Sequence, residues 1–397
     1  MEGEPIESGI LIVEGTKIAA LGRMGEVQAP EGAEVISVEG KTLLPGLVCT
    51  HSHIGEVAGA DGSAPIQPEV RVYDSINVRD PGFRKAQAGG ITTANVMSGS
   101  GHLLSGQTIY LKLRDGNRIE DLFIRNADGS LAGGVKMANG TNSRRDPPFP
   151  GTRAKSAALI RQQFVRAQEY RDKRAAAGGD VAKLPVRDLG LEALADVLEG
   201  RRVVHHHTHR HDDILTVLRL KEEFGFRVIL HHVSEAWKVA EEIAAADVPC
   251  SIILLDSPGG KQEAVDIAWK NGAVLEQAGV LTGFHTDDPI NDSRWFLRSA
   301  AFAVRAGMSR EGALAGLTLA GARMLEIEDR TGSLAPGKDA DFIILSGDPF
   351  SVYTRVEETW VEGRRVFNLS DPEDEKWAFG GFGAGHPGEI EHCCFER

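Results

Sequence analysis

The chain reads as an α/β protein, a parallel (β/α)8 TIM barrel, on three observations. Eight short strand-like runs alternate with helical patterns along its middle, the arrangement that builds βα units around a parallel sheet. Metal-competent side chains recur at the C-terminal ends of those runs, where barrels place their chemistry. The 397 residues, 42% of them hydrophobic, suffice for a barrel of about 250 residues and a small accessory unit.

The first barrel strand is expected over Leu47 to His51, within Leu44-Pro45-Gly46-Leu47-Val48-Cys49-Thr50-His51-Ser52-His53. Residues two apart on a strand share a face, so His51 and His53 can reach one ion. The other strands are expected at Ile91 to Met97, Thr108 to Leu113, Gly133 to Ala138, Arg202 to His207, Arg227 to His232, Pro249 to Leu254 and Val280 to Thr286. Ala158, Leu159, Phe164 and Ala167 mark one face of a helix beginning near Thr152, and Ala236, Val239, Ala240 and Ile243 mark another. The stretch from Gly140 to Gly200 exceeds one helix with its loops and reads as an insertion. Within it, Pro147-Pro148-Phe149-Pro150 is an irregular loop near the mouth, and Arg166 to Lys183 a charged, solvated outer helix. Short β-like runs at Gly9 to Val13, Lys17 to Leu21 and Glu34 to Val38 are matched at the far end by Gly332 to Leu345, Val356 to Val361 and Arg365 to Phe367.

Composition removes several classes of function. A formal net charge of −13 disfavours nucleic acid and anionic membrane as partners. No apolar run approaches the roughly 18 residues that a membrane span needs, and Met1-Glu2-Gly3-Glu4 is acidic where a signal peptide is basic. Four cysteines, two of them the adjacent Cys393 and Cys394, make no disulfide framework in a chain of this size, which points to a reducing cytoplasm. A metal site joining Cys393 and Cys394 to His386 or His392 is disfavoured by a Gly-rich tail without CxxC spacing.

An HxH pair alone is a weak signal. Its weight comes from the series that follows: Lys136 in Gly-Gly-Val-Lys-Met-Ala, His207 in Val-Val-His-His-His, His232 in Val-Ile-Leu-His-His and Asp287 in Phe-His-Thr-Asp-Asp-Pro. This pattern resembles the amidohydrolase superfamily, the metal-dependent barrel hydrolases, over nearly the whole chain, and within it the imidazolonepropionase-like and prolidase-like branch. By that resemblance His51 and His53 bind a first metal, His207 and His232 bind a second, Lys136 bridges both as a carboxylated lysine, and Asp287 binds metal and shuttles a proton. The implied cofactors are two divalent ions, zinc before others, with one ion as the alternative. Cys49 stands where the family has an aspartate, so a contact that orients the histidine pair is altered.

The same resemblance implies that the two chain ends pack as one discontinuous β-sandwich beside the barrel. The resulting division is 1–46 and 332–370 for the sandwich, 47–331 for the barrel with its insertion at about 140–200, and 371–397 for a tail. A first sandwich strand usual in the family is missing or encoded upstream. Barrels with such a domain usually associate, and a homo-oligomer is expected, a dimer before a tetramer.

Each candidate has a plainer competitor. His205, His207 and His209 share a face by alternation while His206 does not; the family's spacing to Asp212-Asp213-Ile214 selects His207, with His209 as substitute. On the sixth strand His231 and His232 compete, and the family pattern favours His232. Lys136 can instead pair with an acid in the barrel core. Asp288 reads as a solvated neighbour or a cap before Pro289. His102, in a Gly-rich loop after the second strand, is a substrate contact unless the glycines only permit a turn. Arg144 and Arg145 suit a substrate carboxylate, although surface arginines are common, and His209 joins these substrate candidates. Ala60 to Pro65 reads as a mobile loop over the site.

The expected activity is hydrolysis of an amide or cyclic amide C–N bond of a small molecule through a metal-bound hydroxide. Two rivals stand beside it. One is a mononuclear deaminase or imidazolone-type hydrolase with an uncarboxylated Lys136. The other is a non-catalytic assembly protein that kept the barrel, against which all six retained positions argue. The substrate is set by βα loops and lies beyond the motif.

Overall fold

The computed structural model describes residues 2–59, 61–254 and 262–380. Cys393, Cys394, His386 and His392 lie outside them, as does Ala60. The strands in chain order are β1 (Gly9–Glu14), β2 (Lys17–Arg23), β3 (Thr42–Pro45), β4 (Leu47–Ser52), β5 (Ile91–Val96), β6 (Leu104–Gln107), β7 (Ile109–Lys112), β8 (Val135–Ala138), β9 (Val204–Thr208), β10 (Val228–His232), β11 (Cys250–Ile252), β12 (Thr282–Phe284), β13 (Phe342–Leu345), β14 (Val356–Val361) and β15 (Arg364–Asn368). The helices are α1 (Pro81–Ala88), α2 (Arg153–Ala176), α3 (Leu189–Leu198), α4 (His211–Phe224), α5 (Ala240–Ala245), α6 (Asn271–Gln277), α7 (Phe296–Arg305), α8 (Arg310–Leu317), α9 (Leu319–Met324) and α10 (Pro372–Phe379).

Eight parallel strands in one ring are not what the pairing shows. β8 to β12 run parallel in sequence, and β4 pairs parallel with β5, but β7 is antiparallel to β5 and β6 antiparallel to β8. Residues 97–103 link β5 to β6 and Thr108 alone separates β6 from β7, so these two short strands form one return arm between β5 and β8, with no room before it for the crossover of a dozen or more residues that a parallel neighbour requires. The strands therefore form a six-stranded sheet, β12-β11-β10-β9-β8-β6, and a three-stranded one, β4-β5-β7. Hydrogen bonds outside the strand ladders join their ends: Thr108 N to Gly134 O at 2.9 Å and Tyr110 N to Ala132 O at 3.0 Å on one side, Asp287 N to His51 O and His53 N to Asp288 O, both 3.1 Å, on the other. The second junction lies beside the candidate ligands.

β4 and β5 are buried along their whole length, as expected of strands covered on both faces. In the insertion the first helix, α2, runs unbroken from Arg153 to Ala176, begun by Thr152 Oγ1 accepting from Lys155 N at 3.2 Å, a standard N-cap. It is not followed by a second helix at Arg166 to Lys183. Its buried stripe is Ser156, Ile160, Phe164, Ala167 and Tyr170, whereas Ala158 is exposed. Phe164 stacks between Phe224 and Phe226 at centroid distances of 5.1 and 5.0 Å, docking α2 on α4.

β3 from the N-terminal part joins β13, β14 and β15 in a four-stranded antiparallel sheet, with β1 and β2 as a separate pair. Ile18, Ala340, Phe342 and Ile344 form its apolar core. A buried charge cluster ties this unit to β7: Lys112 Nζ lies 3.0 Å from Asp339 Oδ2 and bonds Asp341, whose Oδ2 also accepts from Thr331 Oγ1 at 2.8 Å. No helix among the described residues is long and apolar enough to cross a membrane.

Candidate metal centre

β4 delivers His51 and His53 to one side, and their Nε2 atoms come within 3.3 Å of each other. Asp287 Oδ1 completes a triangle, 3.2 Å from His51 Nε2 and 3.0 Å from His53 Nε2. Three ligands about 2.1 Å from one tetrahedral ion stand about 3.4 Å apart, so this donor set fits a divalent cation closely. His53 Nδ1 is paired with Met97 O at 2.6 Å, which fixes the tautomer with its lone pair on Nε2. Cys49, in the position of the altered orienting contact, is buried and bonds His51 O at 3.2 Å and Thr286 Oγ1 at 3.4 Å. It thus links β4 to the segment carrying Asp287.

The other positions converge on this triangle. Lys136, fully buried on β8, places Nζ 3.3 Å from His51 Nε2. His232 Nδ1 lies 3.8 Å from Asp287 Oδ2, and the rings of His207 and His232 are 4.5 Å apart. Both His231 and His232 face the cluster, so alternation does not choose between them. The reason is a backbone break: His232 and Asp287 hold φ of 70° and 54°, left-handed conformations that cost a non-glycine residue about 1–3 kcal/mol and gather at functional sites. At the end of β10 that twist turns a second consecutive side chain inward.

Burial sets the protonation states. His51, His231 and His232 are held well below the ordinary histidine range by desolvation, with Lys136, His205 and His207 respectively the next contribution. His285 is held near 3 by the same cause. Neutral imidazole is the form that binds metal. Burial would raise the Asp287 carboxyl, but the hydrogen bond and charge of His53 outweigh it and keep that group below the usual aspartate value. His51 Nδ1, His232 Nε2 and Glu263 Oε1 are buried with no hydrogen-bond partner, which a bound cation or substrate would answer.

Asp288 is buried rather than solvated. Its Oδ2 accepts from Ser293 N at 2.9 Å and Ser293 Oγ at 2.7 Å, capping the turn that leads into α7, and burial pushes its carboxyl up to about 6. His205 stays deeper, between Tyr110 OH at 2.8 Å and His231 Nε2 at 3.0 Å. His206 bonds the backbone at His207 O, and His211 pairs with Glu235.

The substrate candidates separate. His102 is buried, with Arg145 Nη2 3.4 Å from its Nε2, and the Arg145 guanidinium lies 3.7 Å over the Phe149 ring. Leu103 O accepts from Ala138 N at 3.2 Å, setting this group at the end of β8. Arg144 turns back on its own loop, donating Nε to Gly140 O at 3.2 Å.

Two residues of the cluster were not singled out in the sequence. His285 Nε2 is 3.1 Å from His232 Nδ1, and its Nδ1 pairs with Ser251 Oγ at 2.7 Å; its place two residues before Asp287 was a usable alternation signal. Glu263 offered none. It enters from the 3₁₀ turn Gln262–Ala264, outside any strand pattern, and reaches His207 and His209.

The comparisons agree with this architecture. The Amidohydrolase family model Amidohydro_3 matches residues 199–367. The crystal structure of an amidohydrolase from Thermotoga maritima MSB8 is 32% identical, covers 90% of this chain and 94% of its own, and superposes with a TM-score of 0.83. Amidohydrolase tasK of Hapsidospora irregularis is 26% identical over 390 residues, 90% of this chain but 40% of that protein, so the chain spans well under half of that relative. A 5-methylthioadenosine/S-adenosylhomocysteine deaminase of Symbiobacterium thermophilum is 22% identical over 402 residues, 87% of this chain and 82% of that protein. The chain belongs to the amidohydrolase superfamily.

Proposed function

We propose that the protein is a divalent-metal-dependent hydrolase that cleaves an amide or cyclic amide C–N bond of a small molecule. His51, His53 and Asp287 would hold one ion and His207 and His232 a second, with Lys136, once carboxylated, as a ligand the two would share. Such ions polarise a carbonyl and bring the pKa of water near 7. The observation that carries the reading is the position of Asp287: one carboxylate oxygen faces His51 and His53, the other faces His232. With its first oxygen engaged, Asp287 takes the proton of the attacking water on the second and returns it to the leaving nitrogen. The imidazoles of His51 and His232, held neutral by burial, keep their ligand nitrogens in place without competing for that proton. His102 and Arg145, braced by Phe149, orient the substrate, and Arg145 suits a carboxylate. The barrel unit with its sandwich of both chain ends is read as a cytoplasmic homodimer.

The test is a screen of N-acyl amino acids, Xaa-Pro dipeptides, lactams and imidazolones with zinc-loaded protein, in parallel with metal analysis. Turnover should vanish on chelation and return with zinc. Full metal stoichiometry and normal turnover in His51→Ala or His53→Ala would place the site elsewhere.

A second reading is a mononuclear deaminase. The likeness to the deaminase above favours it, together with the completeness of the His51, His53 and Asp287 set without Lys136. One zinc per chain, with ammonia released from an aminopurine, would select it.

A further inference from the structure

We infer that Glu263 and His209 are ligands of the second ion, joining His207 on the side of the cluster away from Asp287. The inference rests on the metal-hydrolase reading above and extends it to two residues which that reading does not use.

The ligand atoms of His207, His209 and Glu263 lie within 4.8 Å of one another, and all three side chains are buried. Glu263 is 1% exposed, and its two oxygens differ. Oε2 accepts from Thr141 N at 2.6 Å, in the loop that follows β8. Gly140 makes that approach possible: its φ is +74°, and a Cβ there would stand 2.3 Å from Oε2. Oε1 is buried without a hydrogen bond and faces His207 Nε2 at 3.8 Å. Among the described residues, the cation near this carboxylate apart from the imidazoles is Arg153, whose Nη2 is 4.0 Å away on the Oε2 side and whose Nε is committed to Asp213 at 2.8 Å. A buried carboxylate oxygen with no donor is destabilising, and a cation between Oε1 and the two imidazoles removes that cost.

The imidazoles are prepared for it. Ser234 Oγ, 2.7 Å from His209 Nδ1, fixes the tautomer whose lone pair is on Nε2 when it accepts. The two rings meet edge to face at 4.7 Å. Two imidazoles and one carboxylate are donor types that zinc takes. Ligands of one ion stand at most about 4.2 Å apart, so the trio draws together on binding, by rotation of Glu263 about its own side-chain torsions.

The experiment counts zinc on the full chain by elemental analysis and measures each equivalent by competition with a chromophoric chelator. Wild type should bind two equivalents. Glu263→Gln should keep the first and weaken the second by more than the roughly 10–100-fold that loss of an outer-shell partner costs. His209→Asn should act on the same equivalent, and His53→Ala on the other. Circular dichroism melts establish that each variant is folded; if Glu263→Gln is not, His209→Asn decides. Two equivalents at wild-type affinity in the folded variants overturn the inference. Loss of the same single equivalent in Glu263→Gln and His53→Ala also overturns it, because there is then one site. If wild type binds no zinc, or His51→Ala and His53→Ala retain both equivalents, the hydrolase reading itself fails.

Discussion

Asp287 and Asp288 are adjacent carboxylates in opposite surroundings, and exchanging each for asparagine separates chemistry from stability. Asp287 touches two candidate ligand imidazoles and is held below the usual carboxylate value. Asp287→Asn keeps its shape but can neither carry the charge nor accept a proton, and should slow turnover by a factor on the order of 10²–10⁴, about 2.7–5.5 kcal/mol of barrier. The zinc-loaded variant should retain most of its metal on the histidines and Lys136. The Asp288 carboxylate accepts from Ser293, and burial pushes it from 3.8 to about 6. A group whose folded pKa is raised contributes stability that is present below the unfolded pKa and lost as pH rises through the folded one. Wild type should therefore lose up to about 3 kcal/mol from this group between roughly pH 4 and pH 7. Asp288→Asn, uncharged throughout, should escape that loss while keeping its rate within a few-fold. Initial rates on a substrate found in the screen, and denaturant unfolding of both proteins from pH 4 to 8, measure the two effects. If both substitutions are equally harmless to turnover, or Asp288 alone is essential, the proton-shuttle role is wrong. If the stability difference between Asp288→Asn and wild type is flat across that pH range, the buried-carboxylate argument is wrong.

Three further outcomes are expected. Lys136→Ala should bring zinc below two equivalents per chain, and short carboxylic acids should partly restore both metal and rate; a bare Lys136 amine far from metal in a structure at high bicarbonate would refute the bridging role. Lys112→Met should leave Asp339 and Asp341 without their buried cation, costing about 3–5 kcal/mol in denaturant unfolding, with zinc content unchanged. Phe164→Ala should remove the ring stacked between Phe224 and Phe226 for about 3–5 kcal/mol; a much smaller loss would mean that α2 is not docked on α4.

Local periodicity was enough to place β4, β5 and the βα succession from β8 to β12, because buried parallel strands and their helices each declare themselves within a few residues. It also put His51 and His53 on one face, since two-residue alternation is a property of the strand alone. The antiparallel return of β6 and β7 was legible only in the shortness of the link at 97–103, which the strand pattern does not weigh. At His232 the twist to φ 70° suspends alternation, so the sequence could pose the choice between His231 and His232 but not show that both rings face the cluster. Glu263 stood beyond sequence altogether. It lies far along the chain from His207 and His209, on an irregular turn with no periodicity, and meets them only because Gly140 lets a loop after β8 close around its carboxylate. Residue types and their spacing along strands follow from local backbone geometry, whereas contacts between a loop and a distant strand end exist only once the tertiary structure has closed.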